Sequence, residues 1–266
     1  MTVPKEVAGG SGGRIAGKVA IVTGAGNGIG QATAIRFAAE GAMVVGADID
    51  RDRIDKTVAT ITGAGHKGLA FVGDITEEDV AERLVAAANE AFGKVDILVN
   101  NVGVTLPGRI WELKAETWDF VLRTNLRSMF LCTRAVVPQM MERRSGRIIN
   151  LSSGARRGTP WQAFYSGHTP YATTKAGVEG FTRNVSMELA EFNITVNAVA
   201  PGPIKTESSA HAHVRWADPN FRHSPLNLVP LGRAGTVEEI ANAILFLASD
   251  ESSYMTGAML DVSGGR

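Results

Sequence analysis

From Lys18 onward the chain alternates two patterns. Short, nearly continuous apolar runs are followed by longer stretches in which apolar residues recur every three or four positions. The short runs are KVAIVTG (18–24), AMVVGADI (42–49), KGLAFVGD (67–74), VDILVNN (95–101), SGRIINLSS (145–153), ITVNAVAPG (194–202) and GAMLDV (257–262). They are rich in Val and Ile without strict polar alternation, as strands buried on both faces are. Between them the period predicts helices ending at Gly41, over Arg51–Ile61, from an N-cap at Thr76 to Gly93, and over Ala115–Met141, Pro170–Glu191 and Val237–Ala248. Seven strands alternating with helices predict an α/β fold, one domain built on a doubly wound, seven-stranded parallel sheet.

Two segments break the rhythm. Residues 1–16 are rich in glycine without periodicity and read as a flexible N-terminal arm, leaving 17–266 as the domain. Residues 203–230 carry three histidines and four prolines with no clear period. Because they follow the sixth strand, they are expected to form a loop over a substrate site.

Composition narrows the function classes. There are 27 basic and 27 acidic side chains, so no net positive charge draws nucleic acid. The N-terminus lacks the apolar stretch of a signal peptide, and no apolar run suits a membrane span. A single cysteine, Cys132, allows no intrachain disulfide and points to the cytoplasm. His211, His213 and His223 share one loop, but no cysteine or carboxylate cluster completes a metal site, so no metal is expected.

The chemistry begins at Thr23-Gly24-Ala25-Gly26-Asn27-Gly28-Ile29-Gly30, between the first strand and first helix. Glycines there let backbone approach a pyrophosphate, which meets unpaired N–H groups at the helix N-terminus. Asp48 ends the second strand, where a carboxylate accepts from adenosine ribose hydroxyls and repels a 2′-phosphate. The expected cofactor is therefore NAD, with NADP disfavoured, although Arg51 and Arg53 stand nearby. NAD in turn leans the direction toward oxidation.

Tyr171 and Lys175 lie four apart, on one face of a predicted helix. Thr169 and Pro170 suit the N-cap and first helical position, placing Tyr171 near the positive end of the helix dipole. Lowering a tyrosine from pKa ~10 to ~7 takes about 4 kcal/mol. An ammonium ~4 Å away supplies about that at an effective dielectric of ~20. Tyr171 is thus a candidate general acid or base for an alcohol/ketone pair near neutral pH.

The turn and the Tyr-x-x-x-Lys pair together resemble the short-chain dehydrogenase/reductase family, and the resemblance runs from about Gly17 to the C-terminus. Asn100-Asn101-Val102-Gly103 resembles the family's N-N-A-G, with valine for alanine. Gly73-Asp74-Ile75 is similar to its aspartate–aliphatic pair beside the adenine. Pro201-Gly202, with Ile204 and Thr206, is similar to its P-G-x-I-x-T stretch around the nicotinamide carboxamide. Asn150-Leu151-Ser152-Ser153 resembles its N-x-S-S, which makes Ser153 the residue holding the reacting oxygen and Ser152 the alternative. Asn125 matches the family asparagine that holds a relay water.

The resemblance implies a Rossmann-type single domain and hydride transfer between nicotinamide and a secondary alcohol or ketone. Cofactor contacts are implied for Gly24, Asn27, Gly28, Ile29, Gly30, Asp48, Asp74, Ile75, Asn101, Gly103, Tyr171, Lys175, Pro201, Gly202, Ile204 and Thr206. It also implies a homotetramer or homodimer joined through the two long helices. Two alternatives stay open: an NADPH-dependent 3-oxoacyl-thioester reductase, and a non-catalytic dinucleotide sensor. The chain departs from the family where Ser153 and Tyr171 lie 18 positions apart against roughly thirteen, marking an insertion within 154–169. Its Trp161, Phe164 and Tyr165 are candidates for an aromatic substrate wall, and Arg156 or Arg157 for an anionic group on the substrate.

Overall fold

The computed structural model describes residues 13–160, 163, 166–207, 223–224 and 226–266. Trp161, Phe164, Tyr165, His211 and His213 lie outside the described residues, as do 1–12 of the expected arm and 208–222 of the expected substrate loop.

Seven strands form one parallel sheet: β1 Val19–Thr23, β2 Met43–Asp48, β3 Gly68–Val72, β4 Ile97–Asn100, β5 Gly146–Leu151, β6 Ile194–Pro201 and β7 Met259–Val262. Their spatial order is β3-β2-β1-β4-β5-β6-β7. The order reverses between β1 and β4, which pair as Ala20↔Ile97 through Val22↔Val99. A doubly wound sheet opens a crevice beyond the carboxyl ends of its strands at such a reversal. The expected α/β Rossmann-type fold is what the chain adopts.

The continuous apolar runs make sense against two covered faces. Ala20, Val22, Val44, Ile97 and Val99 point into one core with Phe37, Ile54, Ile240 and Ile244. Ile21, Val45 and Leu98 alternate to the other, against Leu84, Val136 and Met140. The first core is closed by α1 (Gly28–Ala39), α2 (Arg51–Gly63) and the last helix, Val237–Ala248; the second by α3 (Glu78–Phe92) and α5 (Ser128–Arg143). Between α3 and α5 lies α4 (Ala115–Leu122), and α6 (Thr169–Leu189) precedes the last helix, α7. Among the described residues no helix is long and apolar enough to cross a membrane.

Three expectations need correction. Gly13–Ala16 are not part of a loose arm: Ile15 is 2% exposed in the first core, and Arg14 pairs with Glu251 and donates its N–H to Glu40. The apolar side chain outweighs the surrounding glycines. Helix α3 starts at Glu78 with Glu77 as N-cap, while the Thr76 hydroxyl accepts from Arg123 Nε at 3.1 Å. The long helix expected over Ala115–Met141 is broken by a π-turn at Arg123–Arg127. Such a turn adds a residue to the helical register and re-aims a side chain. Here it carries Asn125, whose amide is fixed from outside the helix.

Candidate active site

A cleft of about 620 Å³ opens at the carboxyl ends of the strands, across the reversal. Of the residues singled out from sequence, Gly24, Asn27, Gly28, Ile29, Asp48, Asp74 and Ile75 line one half. Asn101, Gly103, Ser153, Tyr171, Lys175, Pro201, Gly202, Ile204 and Thr206 line the rest. Neither Gly30 nor Asn125 nor Arg156 is on its wall.

The glycine turn is shaped by contacts as well as conformation. Gly28 stands at φ +54, and a Cβ there would meet only Thr206, at 3.8 Å or more. Among the described residues, then, nothing closer than Thr206 crowds the N-terminus of α1, as a pyrophosphate requires. Gly30 works from behind: a Cβ there would lie 2.0 Å from Gly24 O, so glycine lets α1 pack onto the turn. Asp48 ties the turn to the start of α2 through its two carboxylate oxygens. Oδ2 accepts from Gly26 N at 2.9 Å and Oδ1 from Asp50 N at 3.0 Å. Arg53 pairs with Asp50 at 3.3 Å, on the exposed start of α2. From β4, Asn101 Nδ2 donates to Thr23 O and Gly24 O at 2.9 and 3.2 Å, tying the turn to the neighbouring strand.

The opposite half holds the titratable groups. Ser153 Oγ accepts from Ala155 N at 3.1 Å, and the Ser153 side chain acts on the Tyr171 phenol to lower its pKa. The Ser152 hydroxyl donates to Lys175 O at 2.8 Å. The two serines thus divide: one meets the phenol, the other braces α6. Lys175 is 4% exposed, its Nζ donating to Leu151 O at 2.7 Å and lying 5.6 Å from the Tyr171 ring centroid. Burial pulls the Lys175 pKa down to about 8. At Gly103 a Cβ would stand 3.2 Å from that Nζ and 3.6 Å from Asn125 Oδ1. The ammonium therefore reaches the cleft past a bare stretch of backbone.

The phenol behaves differently from the sequence expectation. Burial raises the Tyr171 pKa above its usual value, and the Ser153 hydrogen bond offsets this only in part. Desolvation penalises phenolate, so Tyr171 is a protonated acid at neutral pH in this state. The N-cap of α6 is His168, with Thr169 already helical, one position from the expected boundary.

Asn125 sits behind the wall at 2% exposure. Its Oδ1 accepts from Val104 N at 2.7 Å, and its Nδ2 donates to Val104 O at 2.9 Å and Thr174 Oγ1 at 3.0 Å. Both amide hydrogens are thereby used within the protein. Arg156 is a correction: its side chain, 2% exposed, pairs with Asp261 at 2.9 Å and Glu179 at 3.1 Å. Buried guanidinium seeks carboxylate partners, and those lie on β7 and α6, away from the cleft. Arg157 shares Asp261 at 3.1 Å. Wall residues that sequence reasoning missed include Thr76, Thr105, Phe120, Arg123 and Thr124; none belongs to a recognisable motif.

The family model described as Enoyl-(Acyl carrier protein) reductase matches residues 24–266. The chain is 42% identical over 253 residues to the 3-oxoacyl-(acyl-carrier-protein) reductase FabG of Thermotoga maritima, covering 95% of this chain and 98% of that one. It is 41% identical to the (2S)-((R)-hydroxy(phenyl)methyl)succinyl-CoA dehydrogenase subunit BbsD of Thauera aromatica, over 95% and 97% of the two chains. A solved structure of a Serratia marcescens short-chain dehydrogenase/reductase mutant superposes with TM-score 0.84 at 34% identity, covering 95% and 98%. The chain belongs to the short-chain dehydrogenase/reductase family, whose oxidoreductases use nicotinamide cofactors.

Proposed function

We propose that this member of the family moves a hydride between a nicotinamide dinucleotide and a secondary alcohol/ketone pair carried on an acyl thioester, with Tyr171 as general acid and base. The observation that carries the reading is one cleft lined by Ser153, Tyr171 and a buried Lys175, whose Nζ lies 5.6 Å from the phenol ring centroid, together with the glycine turn at Gly24 and Gly28. Sequence reasoning put an unspecified secondary alcohol first and the thioester second. The two relatives above, named for substrates on acyl-carrier protein and on CoA, reverse that order.

The dinucleotide, when bound, supplies the hydride donor or acceptor. Gly24, Asn27, Gly28 and Ile29 would cradle its pyrophosphate, with Gly30 keeping α1 close. Asp74 and Ile75 would flank the adenine, and Asn101, Gly103, Pro201, Gly202, Ile204 and Thr206 the nicotinamide half. Ser153 holds the substrate oxygen, and Tyr171 gives or takes its proton across the same short path. Lys175 holds the ribose and stabilises phenolate as it forms. A relay water at Asn125 has the second Oδ1 lone pair or main chain to bind, since both amide hydrogens are used.

Asp48 supports NAD(H). Its oxygens already accept from Gly26 N and Asp50 N, and a 2′-phosphate would bring further negative charge beside them. Assembly into a homotetramer or homodimer is supported by Phe130 and Met187, 45% and 60% exposed on the two long helices. A cytoplasmic setting rests on the lone cysteine, buried Cys132.

The test is turnover of acetoacetyl-CoA with NADH and with NADPH, followed by the reduced nicotinamide absorbance, in the native enzyme and Tyr171→Phe. NADH oxidation by the native enzyme alone is expected. Turnover of simple ketones but no thioester would overturn the substrate class. Tight NADH binding without any turnover would instead identify a sensor.

A further inference from the structure

We propose that His168 is a positioning residue for Tyr171, clamping the first turn of α6 to the cleft wall at Thr105; this rests on Tyr171 being the acid/base group. His168 stands at the N-cap of α6 but makes no side-chain cap to that helix. Instead Nδ1 meets Thr105 Oγ1 at 2.5 Å and Nε2 meets Ser166 Oγ at 2.7 Å. Both partners are hydroxyls, which donate or accept, so either neutral tautomer satisfies both bonds.

The main chain is built around the same contact. Gly108 N donates to Ser166 O at 2.8 Å and Gly167 O at 3.1 Å, and Gly108 bridges His168. Gly167 stands at φ +66, where a Cβ would fall 2.3 Å from Gly108 O. Only glycine permits that approach. The insertion between Ser153 and Tyr171 is thus docked onto the loop after β4.

The clamp completes a chain of contacts to the backbone turn that carries Tyr171. Thr105 follows Val104, whose backbone is held at both ends by the Asn125 amide. Asn125 Nδ2 reaches Thr174 Oγ1, and that hydroxyl donates to Tyr171 O at 2.8 Å. The turn carrying Tyr171 is consequently fixed at His168 from one side and at Thr174 from the other. Without the first strut it pivots about the second. Sub-ångström displacement of an acid/base group costs turnover far more than it costs cofactor binding.

The experiment compares Thr105→Val, Thr105→Ser, His168→Ala and the Thr105→Val/His168→Ala double variant with the native enzyme. The readouts are kcat, KM for NADH, and hydrogen exchange at the Ala172 and Gly108 amides. Thr105→Val and His168→Ala should each lower kcat roughly tenfold, leaving KM for NADH within about twofold. Thr105→Ser should recover most of kcat, and the double variant should be no slower than the slower single. Exchange at Ala172, whose N–H donates to His168 O, should quicken in Thr105→Val. An unchanged kcat, or multiplicative losses in the double variant, overturns the clamp. Should the native enzyme turn over nothing, unchanged exchange overturns the clamp, whereas faster exchange upholds it as a strut and places the failure in the catalytic reading.

Discussion

Replacing Lys175 by methionine should make the protein more stable and far less active. The side chain is 4% exposed and its pKa is drawn from the ordinary 10.5 to about 8. Such a displacement corresponds to about 3 kcal/mol by which the folded state disfavours the ammonium. The sign follows from proton counting. Between about pH 8 and 10.5 the unfolded chain keeps a proton that the folded chain has released, so stability rises with pH across that window. Below pH 8 the whole penalty is present. Lys175→Met removes it but leaves Leu151 O without the donor now at 2.7 Å, a loss of about 1–2 kcal/mol. The net expectation at pH 7 is a gain of about 1–2 kcal/mol. Urea unfolding of both proteins from pH 7 to pH 10, with kcat measured alongside, provides the check. The variant's advantage should shrink as pH rises, because the native protein catches up. A variant less stable at pH 7, or an advantage that does not vary with pH, would refute the reasoning.

Asp48→Ala should weaken NADH binding and narrow the preference over NADPH by about tenfold or more, one lost charge contact being worth about 1–2 kcal/mol; unchanged selectivity in a fluorescence titration removes the argument for NAD. Gly103→Ala puts a Cβ 3.2 Å from Lys175 Nζ and should lower kcat about tenfold with little change in melting temperature. Arg156→Met breaks the pairs with Asp261 and Glu179 and should cost about 1–3 kcal/mol, discounted because both carboxylates are partly exposed. Its KM for an acyl thioester should stay within about twofold, and a selective rise in KM would return Arg156 to the substrate site.

The fold was legible because each strand is a short, largely apolar run and each helix a periodic one, so local pattern and global layer agreed. That the glycine turn lines the cleft was legible for a related reason: Gly24 to Ile29 lie close together in sequence, and backbone conformation at Gly28 or packing at Gly30 leaves few alternatives. What escaped was long-range. Nothing local marks Ile15 as core, since its neighbours are glycine, arginine and alanine. Nothing local shows that Arg156 faces Asp261, which lies 105 positions away. The π-turn at Asn125 was equally hidden, because it depends on the Val104 backbone binding that amide rather than on helical propensity. The sequence placed Tyr171 and Lys175 together but could not weigh burial against charge, and burial reversed the expected direction for the phenol.

That reversal bears on the direction of the reaction. On the proposed reading Tyr171 would act as the acid in ketone reduction, and a phenol raised by burial already carries the proton it would give at neutral pH. Alcohol oxidation asks it to be a base, which requires phenolate in a site that desolvation has made hostile to it. The Lys175 ammonium, 5.6 Å from the ring centroid, is a positive charge that would offset this cost, and burial draws its own pKa down to about 8. Raising the pH therefore helps oxidation by removing the phenol proton and hinders it by discharging the lysine. Reduction would lose by both effects as pH rises, the lysine discharging first, above about pH 8. Asp48 suggests oxidation through the NAD preference proposed for it; burial around Tyr171 favours the protonated phenol, the form on which ketone reduction would draw. On the proposed reading a carboxylate at the adenosine end would select the dinucleotide, whereas the ionisation of Tyr171 and Lys175 would set how the rate in each direction responds to pH. These are separable because they sit at opposite ends of one cleft.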